Sequence, residues 1–460
     1  MKIVKNTLLL ALISLVSFGA DAQPTYFMPG EDLPHEGTWL QWPHNNLYGP
    51  FYQGDVQSTF VGMANALQSG ENVHIIAYDA NHQNQIIQAL NNASVPMTNI
   101  DFYIYPTNDV WVRDNGPIFV FDSNDEMHIL DWGFNGWGND SPYNLCDPIP
   151  GMISSDLQIP SVDLSAMILE GGAIEHDGQG TMMATSSSVT HSSRNPNLTE
   201  QEIETYLTNY MGFTNFIWLD GVYGTEITDM HIDGFVKFAN DSTIVTMNTA
   251  DLTYWQVSLA DQSTLINATN VNNEPFNFVA VPLTQNDVVT TYGNNLGYKG
   301  SYCNYYIGND VVVVPTYNDP NDNVALGIIQ SVHPNRTVVG VDVRNIYEYG
   351  GMIHCLTQQQ PEASEFVGMN EVAPANVLNA SLHPNPVSDV ATVQLSEELT
   401  GKVTVRIFQM NGQEVTQHQF NTVSTNTLSF PVSNLADGMY LYQVEINGDL
   451  SALQRMIVQQ

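Results

Sequence analysis

The chain has 460 residues, with 11 Lys and Arg against 48 Asp and Glu, a formal net charge of −37. That balance excludes the clustered basic surface that nucleic acids and anionic membranes require. It suits cationic ligands such as guanidines or amines, or serves only to keep an exported protein soluble; a hydrophobic content of 43% is enough for a sizeable core.

Residues 1–22 have the layout of a secretory signal. Lys2 and Lys5 form a basic start, Leu8 to Phe18 an apolar core, and Ala20-Asp21-Ala22 a small-x-small cleavage site. The apolar run is too short to cross a bilayer and no other stretch could, so an exported protein without a membrane span is expected. From Val56 onward one unit recurs, an amphipathic helical pattern followed by a short apolar strand. Val56, Phe60, Met63, Ala64 and Leu67 share a helical face before a strand at Val73–Tyr78; Ile86, Ile87 and Leu90 precede Ile100–Tyr105. Thr199 with Glu202 makes a capping box for a helix through Ile203 and Leu207, then Phe216–Leu219. Residues 253–268 lead into Phe276–Leu283, and Val324 to Val332 into Val338–Val343. The five helix-to-strand passages predict an α/β fold with internal pseudo-repeats.

After Pro361 the texture changes. Residues 363–379 read as a linker, and from Ala380 alternating runs at Ala391–Leu395, Val403–Phe408, Leu428–Val432 and Met439–Ile446 predict a small all-β sandwich. Asn411-Gly412 and Asp437-Gly438 are its turn signals. Three cysteines, Cys146, Cys303 and Cys355, are too few for a disulfide scaffold and leave at least one free thiol.

Four motifs carry the chemistry. In Trp111-Val112-Arg113-Asp114-Asn115-Gly116-Pro117, read as a strand end and turn, a carboxylate can accept two parallel N–H bonds from a guanidinium while an aromatic face covers its plane. The bland alternative is a structural Arg113–Asp114 contact, and Arg113 is structural on either reading. Glu170-Gly171-Gly172 offers a carboxylate at a Gly-rich strand end, able to orient a histidine or bind a cation. In His231-Ile232-Asp233, strand alternation would put an acid/base histidine and a second carboxylate on one face. Gly350 to Pro361, GGMIHCLTQQQP, presents Cys355 after two glycines, as a nucleophilic thiol should be presented. A rival reading makes a metal site of His231, Asp233, Glu170 and Cys355, although the spacing of strong metal motifs is missing.

Together these motifs resemble the agmatine deiminase and bacterial peptidylarginine deiminase family of guanidine-modifying enzymes. The matching stretches are MPGEDLPHEGTWLQWPHN at 28–45, WVRDNGP at 111–117, FNGWGN at 134–139, EGGAIEHDGQGT at 170–181, HID at 231–233, SYCNYYIGN at 301–309 and GGMIHCLTQQQP at 350–361. The resemblance implies a catalytic domain at 23–362 folded as a five-bladed α/β propeller, a pentein with pseudo-fivefold symmetry. It implies no metal or organic cofactor. It also implies Cys355 as nucleophile, His231 as general acid/base, Glu170 as the group orienting it, Asp114 and Asp233 as the guanidinium grip, and Trp111 and Asn304 in the pocket. Cys303 reads as packing. Met352 and Gly234 depart from the usual residues and bear on pocket shape. Residues 380–460 resemble a type IX secretion sorting domain, implying that secretion machinery as a partner and a secreted or cell-surface location.

The implied reaction is hydrolytic deimination, of agmatine to N-carbamoylputrescine or, alternatively, of arginine residues in proteins to citrulline; a non-catalytic surface protein binding arginine-like groups is the remote third reading. Export favours protein substrates. Against that, Asp131–Tyr143, where the exported relative supplies arginines for a substrate carboxylate, contains no Lys or Arg. Lys237 and Lys299 are the nearest cations by sequence that could replace them.

Overall fold

The computed structural model describes residues 26–362, 380–383, 387–409, 414–435, 438–446, 449–450 and 454–458. The expected signal at 1–22, the linker at 363–379, and the turn residues Asn411, Gly412 and Asp437 lie outside them.

Three parallel neighbours open the fold: β1 (His35–Gln41), β2 (Asn72–Ala77) and β3 (Ile100–Ile104). The helix Tyr52–Leu67 joins the first two and turns Val56, Phe60, Met63, Ala64 and Leu67 into the core, the face its sequence spacing predicts. Four further sheets then share one wiring. β4 (Ile118–Phe121) runs antiparallel to β5 (Met127–Gly133), and the helix Ile149–Leu157 returns the chain to β6 (Ser161–Ile168), parallel to β5. The same order gives β7 (Ile174–His176), β8 (Thr181–Thr185) and β9 (Asn215–Leu219), with the helix Glu200–Met211 between the last two. It also gives β10 (Val236–Asn240), β11 (Thr243–Met247) and β12 (Asn277–Val281), and then β13 (Tyr306–Ile307), β14 (Val311–Thr316) and β15 (Thr337–Asp342). β16 (Gln358–Pro361) pairs antiparallel with β1, so β16, β1, the first helix and β2 complete a fifth copy from opposite ends of the unit. The capping box expected at Thr199 and Glu202 is present in both directions.

Two local expectations are corrected. The residues around Trp111 do not close a strand: Val112–Asn115 is a short helix. His231 and Asp233 are not on a strand either, because Ile232–Gly234 is a tight 3₁₀ turn that starts after His231. Alternation cannot reveal such turns, since three or four residues carry no period.

In the tail, β17 (Ala380–His383), β18 (Val390–Gln409), β19 (Glu414–Pro431), β20 (Gly438–Ile446), β21 (Asp449–Leu450) and β22 (Gln454–Val458) form one antiparallel network. The runs at Ala391–Leu395 and Val403–Phe408, expected as two strands, are halves of β18. Val393, Val405, Ile407, Phe430, Val444 and Met456 close over a core of their own.

Candidate active site

The five segments that enter the first strand of each unit converge. They are the Val112–Asn115 helix before β4, the 3₁₀ turn Gly171–Ala173 before β7, Ile232–Gly234 before β10, Asn304 before β13, and the 3₁₀ turn His354–Leu356 before β16. Gly172 marks the meeting point. A methyl group there would sit 2.8 Å from both Asp114 Oδ1 and His231 Nδ1 and 3.0 Å from Asp233 Oδ2. Gly171 is equally constrained, since a methyl group there would collide with the carbonyl oxygen of Arg113. The Glu-Gly-Gly sequence therefore supplies a carboxylate followed by space for three other side chains.

His231 lies between two acids, with Nε2 donating to Glu170 at 3.1 Å and Nδ1 3.6 Å from Asp114. Burial disfavours its charged form, but Asp114, the Glu170 hydrogen bond and Asp233 outweigh this and raise its pKa to about 9. Asp114 accepts from Trp137 Nε1 at 2.9 Å and from the Gly172 N–H at 3.1 Å. Burial, with Asp233 and Glu170 beside it, lifts its pKa to about 6 against the pull of His231. Asp233 is held at 2.8 Å by His354, which with His231 and Arg113 keeps its carboxyl below the usual range despite burial.

Cys355, half-buried, places Sγ 3.7 Å from Asp233 Oδ2 and 3.4 Å from Asn304 Nδ2. Burial and the negative charges of Asp233 and Asp114 push its thiol well above the ordinary cysteine range, against hydrogen bonds from Met352 and Asn304. Cys303 is fully buried and its thiol is pushed up to about 12 by burial, consistent with packing. All three cysteines are free.

His231, Asp233, Asn304 and Cys355 face a cavity of about 430 Å³, which Gly234 and Met352 also line. Tyr254, Trp255, Tyr298, Lys299 and the exposed Glu226 make other parts of its wall. Asp114 and Glu170 are not on that wall. Nor is Trp111, whose ring packs against Gly351. Of the two lysines that sequence singled out, Lys237 is buried and paired with Glu31 at 2.8 Å and Glu175 at 3.1 Å, whereas Lys299 lines the cavity.

The profile of the Porphyromonas-type peptidyl-arginine deiminase matches residues 27–361, and that of the secretion system C-terminal sorting domain matches residues 381–459. The chain belongs to the Porphyromonas-type peptidyl-arginine deiminase family. These are hydrolases acting on guanidino C–N bonds. The agmatine deiminase of Pseudomonas syringae pv. syringae is 31% identical over 359 residues, covering 73% of this chain and 95% of that protein. The structure of the Enterococcus faecalis agmatine deiminase superposes with a TM-score of 0.65 at 28% identity, over 74% of this chain and 97% of that one. A substrate-bound agmatine deiminase from C. jejuni gives 0.62 at 25% identity, over 73% and 96% of the two chains.

Sequence reasoning about this deiminase missed a supporting set. Arg194 is buried, with Nε 2.9 Å from Glu170 and Nη1 2.5 Å from Asp229. Glu31 receives His354 Nε2 at 2.8 Å and lies 3.5 Å from Arg113, so a buried Asp233–His354–Glu31 chain rests on Arg113 and Lys237. Arg113 also donates to the His354 carbonyl and to Gln359. One signal was available for Arg194: basic residues are so rare here that a buried one must be paired.

Proposed function

We propose that the protein hydrolyses a guanidinium group through a covalent Cys355 intermediate, with agmatine as its principal substrate. The observation carrying this reading is the convergence of Asp114, His231 and Asp233 on Gly172 with the Cys355 thiol 3.7 Å from Asp233. A guanidinium carbon is a poor electrophile because its charge is delocalised, so the site must fix the cation, supply a strong nucleophile and protonate the departing nitrogen. Asp114 and Asp233 hold the cation. The charge that raises the empty site's thiol is then neutralised, and Cys355 releases its proton to solvent as substrate enters.

The Sγ–C bond forms, giving a neutral tetrahedral adduct. His231, charged at neutral pH, gives its proton to one NH₂, which leaves as ammonia, and an S-alkylthiouronium remains. Neutral His231 next takes a proton from water. The hydroxide adds to the same carbon, collapse expels the thiolate, the ureido product passes its extra proton to ammonia, and Cys355 takes a proton back from solvent as the site empties. Glu170 orients His231, and Arg194 fixes Glu170. Asn304 steadies the sulfur, and Trp111 supports the loop of Gly351 from behind. The metal reading is disfavoured by commitment of the donors: Glu170 already serves Arg194 and His231, and Asp233 serves His354.

Agmatine is favoured by the strongly negative chain, by the relatives of that name and by the absence of Lys or Arg from Asp131–Tyr143. The second reading, peptidyl-arginine deimination, draws on the family profile and on Lys299 in the cavity wall. Ammonia release from agmatine, free arginine and a peptide ending in arginine decides between them; a peptide preference above tenfold in kcat/KM overturns the agmatine assignment.

In the same reading the five similarly wired units are blades of an α/β propeller about a pseudo-fivefold axis. The chain divides into a signal at 1–22, a catalytic domain at 23–362, a linker at 363–379 and a sorting sandwich at 380–460. The signal directs export, and the sorting domain engages type IX machinery for release to the cell surface or medium.

A further inference from the structure

The stretch Phe134-Asn135-Gly136-Trp137-Gly138-Asn139 takes no part in the chemical steps, yet its backbone is unusual. Gly136, Trp137, Gly138 and Asn139 all lie in the left-handed region, at φ 65°, 56°, 87° and 72°. Glycine adopts that conformation freely, but for tryptophan it is strained, and such strain persists only where the surroundings enforce it. Here they do. Asn135 Oδ1 accepts the Gly138 N–H at 2.8 Å, and Asn135 Nδ2 donates to the Ser193 carbonyl at 2.9 Å. The Gly136 carbonyl accepts the N–H groups of Asp140 and Ser141. A methyl group at Gly136 would collide with the Ser141 carbonyl, and one at Gly138 would press on Ser193 and Arg194.

The strained turn aims one bond. Trp137 is buried, its ring edge-on to Phe134 at 5.1 Å, and its Nε1–H donates to Asp114 Oδ2 at 2.9 Å. No other donor reaches Oδ2 among the described residues, whereas Oδ1 takes the Gly172 N–H and faces His231. Trp137 is not on the cavity wall, so it acts on substrate only through Asp114. The titratable groups that face Asp114 are His231, Asp233 and Glu170, with the Cys355 thiol and Asp109 also within electrostatic reach. Burial and the two acids oppose its ionisation and set its pKa at about 6, against the pull of His231 and the Trp137 hydrogen bond. A donor to a carboxylate favours the charged form, and an indole supplies one without a positive charge to compete with the bound cation.

We propose that Trp137 is a positioning residue for deimination, its indole N–H holding the Asp114 carboxylate turned and charged to receive the guanidinium. This rests on the reading in which Asp114 grips the cation, and adds the group that keeps the grip in force near neutral pH. The anchor of the turn on Ser193 also ties it to the neighbouring Arg194, the partner of Glu170.

The test is the pH profile of kcat/KM for agmatine in the parent and in Trp137→Phe, which keeps a ring and loses the N–H. The parent's acid limb is expected at about pH 6, where Asp114 takes up its proton. In Trp137→Phe that limb should move to higher pH, and kcat/KM below it should fall about tenfold or more, the loss expected for one hydrogen bond to a charged group. A tryptophan that only supports the fold would lower kcat/KM equally at every pH, so an unmoved limb overturns the proposal. Should Trp137→Phe not fold, NMR of the isotope-labelled parent decides. One indole N–H should titrate with the acid limb and lose that titration in Asp114→Asn; the lack of such a signal overturns the proposal. Ammonia from agmatine with an unmoved limb sinks the role of Trp137 alone, whereas no ammonia from any guanidine in folded parent sinks deimination and this proposal with it.

Discussion

Cys355 and Cys303 are separated by burial and surroundings. Both thiols are raised, but Cys355 owes part of its rise to Asp233 and Asp114, charges that a bound cation cancels, whereas Cys303 owes its rise chiefly to burial, which no ligand relieves. Two outcomes follow. Cys355→Ala should abolish ammonia release while substrate binding and thermal stability stay close to the parent, and Cys303→Ala should retain turnover; activity of Cys355→Ala within tenfold of the parent would end the covalent mechanism. The second outcome is a pH dependence. Because the Cys355 pKa is raised, its thiolate forms only at higher pH than in free cysteine, so alkylation by iodoacetamide should rise late in the pH range. A small unreactive amine held between the carboxylates should move that midpoint downward, from charge compensation. A midpoint at or below that of free cysteine without ligand would contradict the assigned electrostatics.

At the scale of elements, the decisive pieces are the short turns that enter each unit. The Gly171–Ala173 turn brings Glu170 beside His231 while leaving room for Asp114, His231 and Asp233. Gly172→Ala forces a methyl group among them. It should cost about 1–3 kcal/mol of stability by overpacking and lower kcat roughly a hundredfold by displacing the acids. Gly327 in the helix Asp322–Val332 is the contrast, since a methyl there meets nothing within 4 Å. Gly327→Ala should stabilise the protein by about 0.4–1 kcal/mol with turnover intact. Thermal melts and initial rates of the two variants check both, and a fully active Gly172→Ala would remove the packing argument. These same turns show where sequence reading reached its end. The helices and long strands were legible because Val56 to Leu67 and Val338 to Val343 carry a period, and the site residues because their motifs are dense in chemistry. The turns at Val112–Asn115 and Ile232–Gly234 are too short for a period. The Glu31–His354 and Arg194–Glu170 pairs join residues far apart in sequence, which no local pattern encodes.

At the scale of the whole molecule, the catalytic unit closes on itself before the tail begins. β16 pairs with β1 through Pro361, and the next residue, Glu362, donates its N–H to the carbonyl of Pro34. The cavity walls come from residues 225–355, whereas the tail core draws only on residues 387–458. A chain ending at residue 379 should therefore keep the buried pairs that set the site and lose only the sorting signal. Its kcat/KM for agmatine is expected within about twofold of the full chain, since distant, independent parts contribute additively. In a host with type IX machinery, the truncated enzyme should remain inside the envelope while the full chain reaches the cell surface or medium, as measured by fractionation and ammonia release. Export of the truncated chain at the parental level would take the sorting role from the tail. Loss of catalysis in a soluble truncated chain with an unchanged melting transition would show instead that the tail helps to shape the site, because closure by β16 would then not suffice to hold Cys355 against Asp233.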